Sequence, residues 1–340
     1  MPARPRVAFI ATVYQEAGNI AAFLDSLLAQ TRQPDEIVIL DAGSRDATPD
    51  LLRQYQARDS RIKLLFQPGA NRSRGRNLAI AHTPCELIAA ADAGCRLDPA
   101  WLENIAAPLE NDPATAVAAG YYRPLARSLF SRAVAAATVP SPREVNPERF
   151  LPSGRSVAFR RAAWQAAGGY PEWTAFSEDT LFGLALKRAG AHFRFVPGAL
   201  VFWEMAAGPG RLFRQFFRYA RSDARNRLFF GHHAKAYLLL ALLLALLAAA
   251  CFIPWAWSLL PAAALAYYLR YCLRSRLRGA DWPAALLSPA ATLLVDLANL
   301  LGFSLGFLSP RLRAPVFPPA RPACQNGPHP PEIPPDKESP

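Results

Sequence analysis

Asp92 is the acid in this chain whose setting most invites chemistry. Residues 87–91 are a short apolar run bounded by turn formers, which predicts a strand buried on both faces, and the run ends on Asp92-Ala93-Gly94. Ligands of open α/β sheets sit beyond the carboxyl ends of the strands, so a carboxylate there suits a metal or a phosphate-bearing ligand. Alone, it could equally cap a turn. Three further predicted strands carry similar groups at their ends: Tyr14 and Glu16 after the first, Asp41 and Asp46 after the second, Arg74 and Arg76 after the third. An aromatic ring and acids can hold a base and ribose, and arginine forks match a diphosphate. Each has a plainer explanation by itself, Asp46 as a helix cap and the arginines as a solvated loop. Four consecutive strand ends argue for one shared crevice.

The elements that must position these groups follow from periodicity. Apolar runs predict strands over 7–12, 37–40, 62–66 and 87–91. Between them, Asn19 caps a helix carrying Ile20, Phe23, Leu24, Leu27 and Leu28, and Asp46 caps a helix through Tyr55. A basic loop over 71–77 leads into a helix ending at His82, and a helix opened by Asp98-Pro99 runs to Leu109. Such alternation means a mostly parallel sheet with helices on both faces. After Gly120 the pattern weakens: a loop over 126–155, Pro-rich from 140 to 152, then a strand over 156–159, a helix to Ala167, a helix over 178–189 and a strand over 193–196.

The remainder has a different character. Residues 236–269 carry no charge, and between 283 and 310 the only charge is Asp296. As one helix the first stretch would be about 50 Å long against a hydrocarbon core of about 30 Å. Pro254 and Pro261 interrupt it, which predicts two antiparallel spans, with a third over 284–308. Asp296 should then face protein or water. The formal charge of +12 is concentrated just before the first span, where seven basic residues from Arg211 to Lys235 face one acid, Asp223. Arg211, Arg214, Arg218, Arg221 and Arg225 share one helical face interleaved with Phe213, Phe216 and Phe217, the pattern of a helix lying on anionic headgroups. This placement argues for membrane lipids and against nucleic acid as the partner. The scattered cysteines form no metal-type pairs and no disulfide framework, and MPARPR runs directly into a strand without a signal-peptide pattern. Together these predict a multi-pass protein of the cytoplasmic membrane whose soluble part faces the cytoplasm.

The segments TVYQE (12–16), LDAGSRDAT (40–48), RGRN (74–77), ADAGCRLDPAWL (91–102), GGYPEW (168–173) and SEDTLFGLALKRAG (177–190) resemble, in order and spacing, family 2 glycosyltransferases. The resemblance covers about residues 6–230 and implies a Rossmann-like nucleotide-diphospho-sugar transferase domain with a divalent metal, Mg or Mn. It implies that Tyr14, Glu16 and Asp41 hold the nucleoside, Arg74 and Arg76 the diphosphate, and Asp92 the metal or ribose. Asp179 matches the family's catalytic base, with Glu178 beside it on the acceptor side. Gln215, Arg218 and Tyr219 are similar to the Gln-x-x-Arg-Trp element of processive members, with Tyr for Trp. The chain departs from the pattern at Val13, at Gln15 and, most consequentially, at Gly94, where the usual Asp-x-Asp motif has its second acid.

The expected organisation is a catalytic domain over 1–205, a basic interfacial helix region over 206–235, a membrane region over 236–309 with two to three spans, near 236–253, 255–269 and 284–308, and a disordered Pro-rich tail over 310–340. The expected activity is inverting transfer of a sugar from a nucleotide-diphospho-sugar to a lipid-linked or envelope glycan at the cytoplasmic membrane face. Two alternatives stand beside it: a polyprenyl-phosphate sugar synthase, and a catalytically impaired sugar-nucleotide-binding membrane scaffold, which Gly94 motivates.

Overall fold

The computed structural model describes residues 4–309. The proposed tail over 310–340 lies outside the described residues. The described residues cluster into two compact units, one built from residues 4–123 and 145–203, the other from residues 124–144 and 204–309. The stretch 124–144, expected within the first domain, groups with the second unit.

The first unit opens with β1 (Val7–Val13), α1 (Ile20–Leu28), β2 (Glu36–Asp41), α2 (Thr48–Arg58), β3 (Ile62–Phe66), α3 (Arg72–Ala81), β4 (Leu87–Ala90), β5 (Cys95–Leu97) and α4 (Trp101–Asn111). It continues with β6 (Thr115–Leu125), β7 (Val157–Arg160), α6 (Arg161–Ala166), α7 (Glu178–Arg188) and β8 (His192–Glu204), while α5 (Leu129–Thr138) belongs to the second unit. The sheet order is β3-β2-β1-β4-β7-β6-β8-β5. The first four strands pair in parallel, as the alternation predicts. The other half is antiparallel: β7 runs against β4 and β6, and β5 against β8. The sheet is therefore mixed.

The apolar strands are dictated by burial on two sides. In β1, Val7, Phe9, Ala11 and Val13 enter one core with Phe23, Leu24 and Trp101, whereas Ala8 and Ile10 enter the opposite core with Phe159, Tyr170 and Phe182. Phe9 meets the Phe23 ring at 5.8 Å and the Trp101 ring edge-on at 5.9 Å. A strand with a core on each face has no position for an alternating polar residue.

Several local expectations change. The basic stretch over 71–77 is not a loop: Asn71 accepts the Arg74 N–H at 2.9 Å and α3 begins at Arg72. Asn19 stands at the start of α1 without capping it, because its amide is turned to Glu16 at 3.0 Å. The segment over 126–155 contains α5, opened by a reciprocal capping box between Ser128 and Ser131.

The second unit is helical: α5, then α8 (Pro209–Arg225), α9 (Phe230–Phe252), α10 (Leu259–Leu277) and α11 (Trp282–Leu308). Two of these, α9 and α11, are long and apolar enough to cross a membrane. The span expected over 255–269 takes a different form, a 3-10 turn at Pro254–Ser258 followed by α10, which carries Arg270, Arg274 and Arg276 in its second half. On α11 the polarity of packing is reversed from that of a soluble helix. Its buried face holds Ala284, Ala285, Ser288, Ala291, Ala298, Gly302 and Gly306, while Leu293, Leu297, Leu301 and Leu305 are exposed. Small residues permit close helix packing, and outward leucines suit lipid. A Cβ at Gly302 would stand 2.4 Å from the Phe217 carbonyl oxygen, and one at Gly306 2.4 Å from that of Arg221, so α8 lies directly on the α11 backbone.

Candidate active site

The parallel strand ends of the first unit are laced together before any ligand is considered. Asp41 closes β2 and is fully buried; its Oδ1 accepts the N–H groups of Gly43 at 3.1 Å and Ser44 at 2.9 Å. Among the described residues Oδ2 has no hydrogen-bond partner. A buried acceptor left unpaired is costly, so Asp41 is poised to receive a donor N–H or O–H. After β1, Gln15 sits in the left-handed region at φ +53 and donates its N–H to Ser44 Oγ at 2.8 Å. The Glu16 N–H goes to Thr48 Oγ1 at 2.9 Å, and Asp46 accepts the N–H groups of Ala17 at 3.2 Å and Thr48 at 3.1 Å. This strained turn carries the Tyr14 ring, which is 55% exposed.

Arg76 is the hub of the site. Its side chain is 4% exposed, its Nη2 donates to Asp92 Oδ1 at 2.8 Å, and its Nη1 reaches Glu178 Oε1 at 3.4 Å. The guanidinium lies 5.2 Å from the Tyr170 ring centre and packs against Gly154, where a Cβ would stand 2.5 Å from Nη2. Burial opposes its charge, but Asp92, Tyr170, Glu178 and Asp179 raise its pKa further, so Arg76 stays cationic. Burial also works against an ionised Asp92, yet the guanidiniums of Arg76, Arg155 and Arg72 hold its carboxyl below the usual range. Glu178 goes the other way: burial raises it, Arg76 offsets part of the rise, and neighbouring Asp179 adds to it.

The RGRN and GGYPEW segments build this cluster by positioning it. Asn77 Oδ1 accepts from Tyr170 N at 2.8 Å and Trp164 Nε1 at 3.0 Å, while its amide donates to Tyr170 O at 2.9 Å and Glu172 Oε1 at 2.8 Å. A side chain at Gly169 (φ +82) would press on that same Asn77 oxygen at 3.1 Å. Asn71 ties the next stretch down through Glu172 O at 2.6 Å. The segment from 168 to 177 is thereby stitched onto α3, and it ends at Ser177, which adopts φ +63 as α7 begins. Glu178 and Asp179 are delivered in the first turn of α7, where the helix dipole favours acids. Asp179 Oδ2 accepts the Gly154 N–H at 3.1 Å and its Oδ1 the Thr180 N–H at 2.8 Å.

Asp92, Arg76, Glu178 and Asp179 thus meet in one cluster. Arg74 does not join it: two positions from Arg76 on a helix, it faces away and is exposed, with no ion pair among the described residues. Arg72 lies nearer, 3.9 Å from Glu178. Glu178, expected on the acceptor side, is the second anchor of Arg76. Arg155 and Gly154 were not evident from the sequence. Their one signal is a Gly-Arg-Ser directly before a buried strand. Gln215, Arg218 and Tyr219 lie on α8 in the second unit, where Gln215 donates to the Tyr219 hydroxyl at 3.2 Å and Arg218 is exposed.

The donor set at Asp92 does not build a metal site. Among the described residues no three His, Cys, Asp or Glu side chains group closely enough to hold an ion, and Asp92 Oδ1 is engaged by Arg76. Gly94 has room for an acid, since a Cβ there meets nothing within 4 Å.

A mixed sheet with acids and arginines at its parallel strand ends is the arrangement of an α/β protein of the nucleotide-binding kind. The sequence matches the model of glycosyl transferase family 2 over residues 8–164, and that of glycosyl transferase family group 2 over residues 87–271, more than half of the chain. The chain belongs to the family 2 glycosyltransferases. It is 27% identical over 235 residues to the succinoglycan biosynthesis protein ExoA of Rhizobium meliloti, covering 64% of this chain and 68% of ExoA. It is 30% identical over 103 residues to the glycosyltransferase AglE of Haloferax volcanii, covering 29% and 34%. The chain spans about a third of the length of several curated relatives it matches. Its fold is similar to that of a mannosyltransferase from Pyrobaculum calidifontis solved in complex with GDP-Man and Mn2+, with a TM-score of 0.63, 21% identity and 88% of each chain covered.

Proposed function

We propose that this glycosyltransferase transfers a sugar, with inversion, from a nucleotide-diphospho-sugar to a lipid-linked or envelope glycan acceptor at the cytoplasmic face of the membrane. The observation that carries this reading is the Asp92–Arg76–Glu178 chain of ion pairs, with Asp179 beside it and held by Gly154. An arginine suited to a diphosphate and a carboxylate suited to act as a base lie in the same cluster, which supports the reading. Tyr14, Glu16 and the unpaired oxygen of Asp41 suit the nucleoside, whose base and ribose supply N–H and O–H donors.

In this mechanism Asp179 takes the proton of the acceptor hydroxyl as its oxygen attacks the anomeric carbon. The bond from that carbon to the diphosphate breaks on the opposite side, and Arg76 stabilises the charge that grows on the departing group. One displacement inverts the centre. ExoA, by its name a succinoglycan biosynthesis protein, and the two apolar helices support an acceptor held at a membrane. An acceptor anchored in lipid reacts where it resides, so a catalytic unit carried on membrane helices meets it without diffusing through solution. Gly94 supports a second reading, a binding scaffold without turnover.

Asp179→Asn separates these. The variant is expected to lose donor-dependent transfer by at least about 100-fold, the lower end of what general-base catalysis contributes, while binding nucleoside diphosphate as the wild type does. Unchanged turnover would remove Asp179 from the mechanism. Binding without turnover in the wild type, across a broad panel of donors and acceptors, would favour the scaffold.

A further inference from the structure

The cluster around Asp92 sets guanidiniums among its carboxylates. Three guanidiniums act on that one carboxylate, Arg76 in contact at 2.8 Å and Arg155 and Arg72 through space. Even so, Asp92 remains 39% exposed, open to a ligand arriving from solvent. Arg155 is held firmly for its task. Its guanidinium lies 4.0 Å from the Trp203 ring centre and 5.2 Å from that of Tyr122, and its Nη1 donates to Ser153 Oγ at 3.1 Å. Stacking on aromatic faces fixes the plane of an arginine without neutralising its charge. Arg72 is 55% exposed, lies 5.9 Å from the Phe176 ring centre and reaches toward Glu178 from the other side.

Sterics do not exclude an acid at position 94. Position 94 has open space around its Cβ, and the turn there is closed by the Cys95 N–H on the Asp92 carbonyl at 3.0 Å, so a side chain would fit. A divalent ion neutralises a diphosphate by charge and oxygen coordination. Planar guanidiniums supply the same charge, together with paired N–H donors that match phosphate oxygens.

We propose that the donor's diphosphate is held in this chain by Arg72, Arg76 and Arg155, which supply the positive charge a protein-anchored divalent ion would bring, so that nucleoside-diphosphate binding needs no metal. The proposal rests on the glycosyl-transfer reading above and adds two residues to it, Arg72 and Arg155. It also accounts for the glycine at 94: with three guanidiniums in place, a second acid would repel the diphosphate.

The test is calorimetric binding of UDP, GDP and dTDP to the full chain in detergent, in EDTA and again in Mn2+, with inorganic pyrophosphate as a base-free probe in EDTA. At least one nucleotide is expected to bind in EDTA within about threefold of its affinity in Mn2+. Arg72→Ala and Arg155→Ala are each expected to weaken binding in EDTA by about tenfold or more, the loss of one charge-assisted contact. Arg155→Lys, which keeps the charge but loses the fork, should fall between. Gly94→Asp is expected to weaken binding in EDTA and to make it respond to Mn2+. Arg72 is exposed, so its variant should keep the wild-type melting temperature and stay informative if Arg155→Ala unfolds. Binding seen only with Mn2+, or undiminished in a folded Arg72→Ala, overturns the proposal while leaving the glycosyl-transfer reading intact. Binding of no nucleotide under either condition overturns both.

Discussion

Gly154→Ala is the sharpest probe of the Arg76 hub, because it adds one methyl group and no charge. The new Cβ would stand 2.5 Å from Arg76 Nη2 and 3.1 Å from both Cζ and Nη1. Ordinary non-bonded contact begins about 1 Å further out, so the guanidinium must retreat by about that much. An arginine tip is flexible in general, but this one is buried and tied to Asp92 at 2.8 Å and Glu178 at 3.4 Å. Moving Nη2 by about 1 Å takes its bond to Asp92 beyond hydrogen-bonding range. A charged hydrogen bond of this kind contributes about 1.5–3 kcal/mol, which is about 10- to 150-fold in nucleoside-diphosphate affinity. Lost as fold stability instead, the same energy lowers the melting temperature by about 2–4 °C per kcal/mol. Calorimetry with UDP and GDP, run beside thermal unfolding in detergent, reads both. Gly94→Ala, whose Cβ meets nothing within 4 Å, is the steric control and should change neither. Wild-type affinity together with a wild-type melting temperature in Gly154→Ala would refute the placement of Arg76.

Two further outcomes follow from geometry of a different kind. Glu178 has its carboxyl raised above its ordinary 4.5 by burial, so the stability linked to its protonated form is full below that value and is lost as pH rises through the higher folded-state value. Asp92 is depressed and stays ionised there, so Glu178→Gln is expected to remove the part of the stability that falls as pH rises above about 4.5, read as melting temperature against pH, and an unchanged profile would assign that loss to another group. In the helical unit, Gly302→Val drives a side chain into the Phe217 carbonyl, which as backbone cannot retreat, and should cost at least about 1–3 kcal/mol by overpacking. Thermal unfolding in detergent, compared with Leu301→Val on the exposed face of α11, checks it; equal melting temperatures for the two variants would mean that α8 does not lie on that seam.

The parallel half of the sheet was legible because β1, β2 and β4 are buried on both faces, so the middle of each strand is an apolar run. The antiparallel half was harder to read. β6 and β8 run through intermediate and exposed positions, their apolar pattern dilutes, and of β8 only its first few residues stood out. Helix α5 was hidden for another reason. Its Ser128–Ser131 box is a start signal without the usual acid, placed just ahead of a Pro-rich stretch that reads as loop.

The sequence by itself determined which residue types were available, Tyr14, Asp41 and Asp92 at the strand ends and the Glu178-Asp179 pair at the start of a helix. It also set the apolar C-terminal helices and the glycine at 94. Only the tertiary structure decided which of these groups meet. Starting α3 at Arg72 rather than after a loop turns Arg76 inward and Arg74 outward, a separation fixed by helical geometry that spacing in a loop cannot predict. Stitching residues 168 to 177 onto α3 through Asn77 and Asn71 brings Glu178 to an arginine 102 positions earlier. Contacts over such separations depend on how two elements pack, and one chain read in order carries no direct trace of that. Arg155 shows it most plainly: an ordinary arginine in sequence, its guanidinium is fixed on the Trp203 and Tyr122 rings, from where its charge lowers the Asp92 carboxyl.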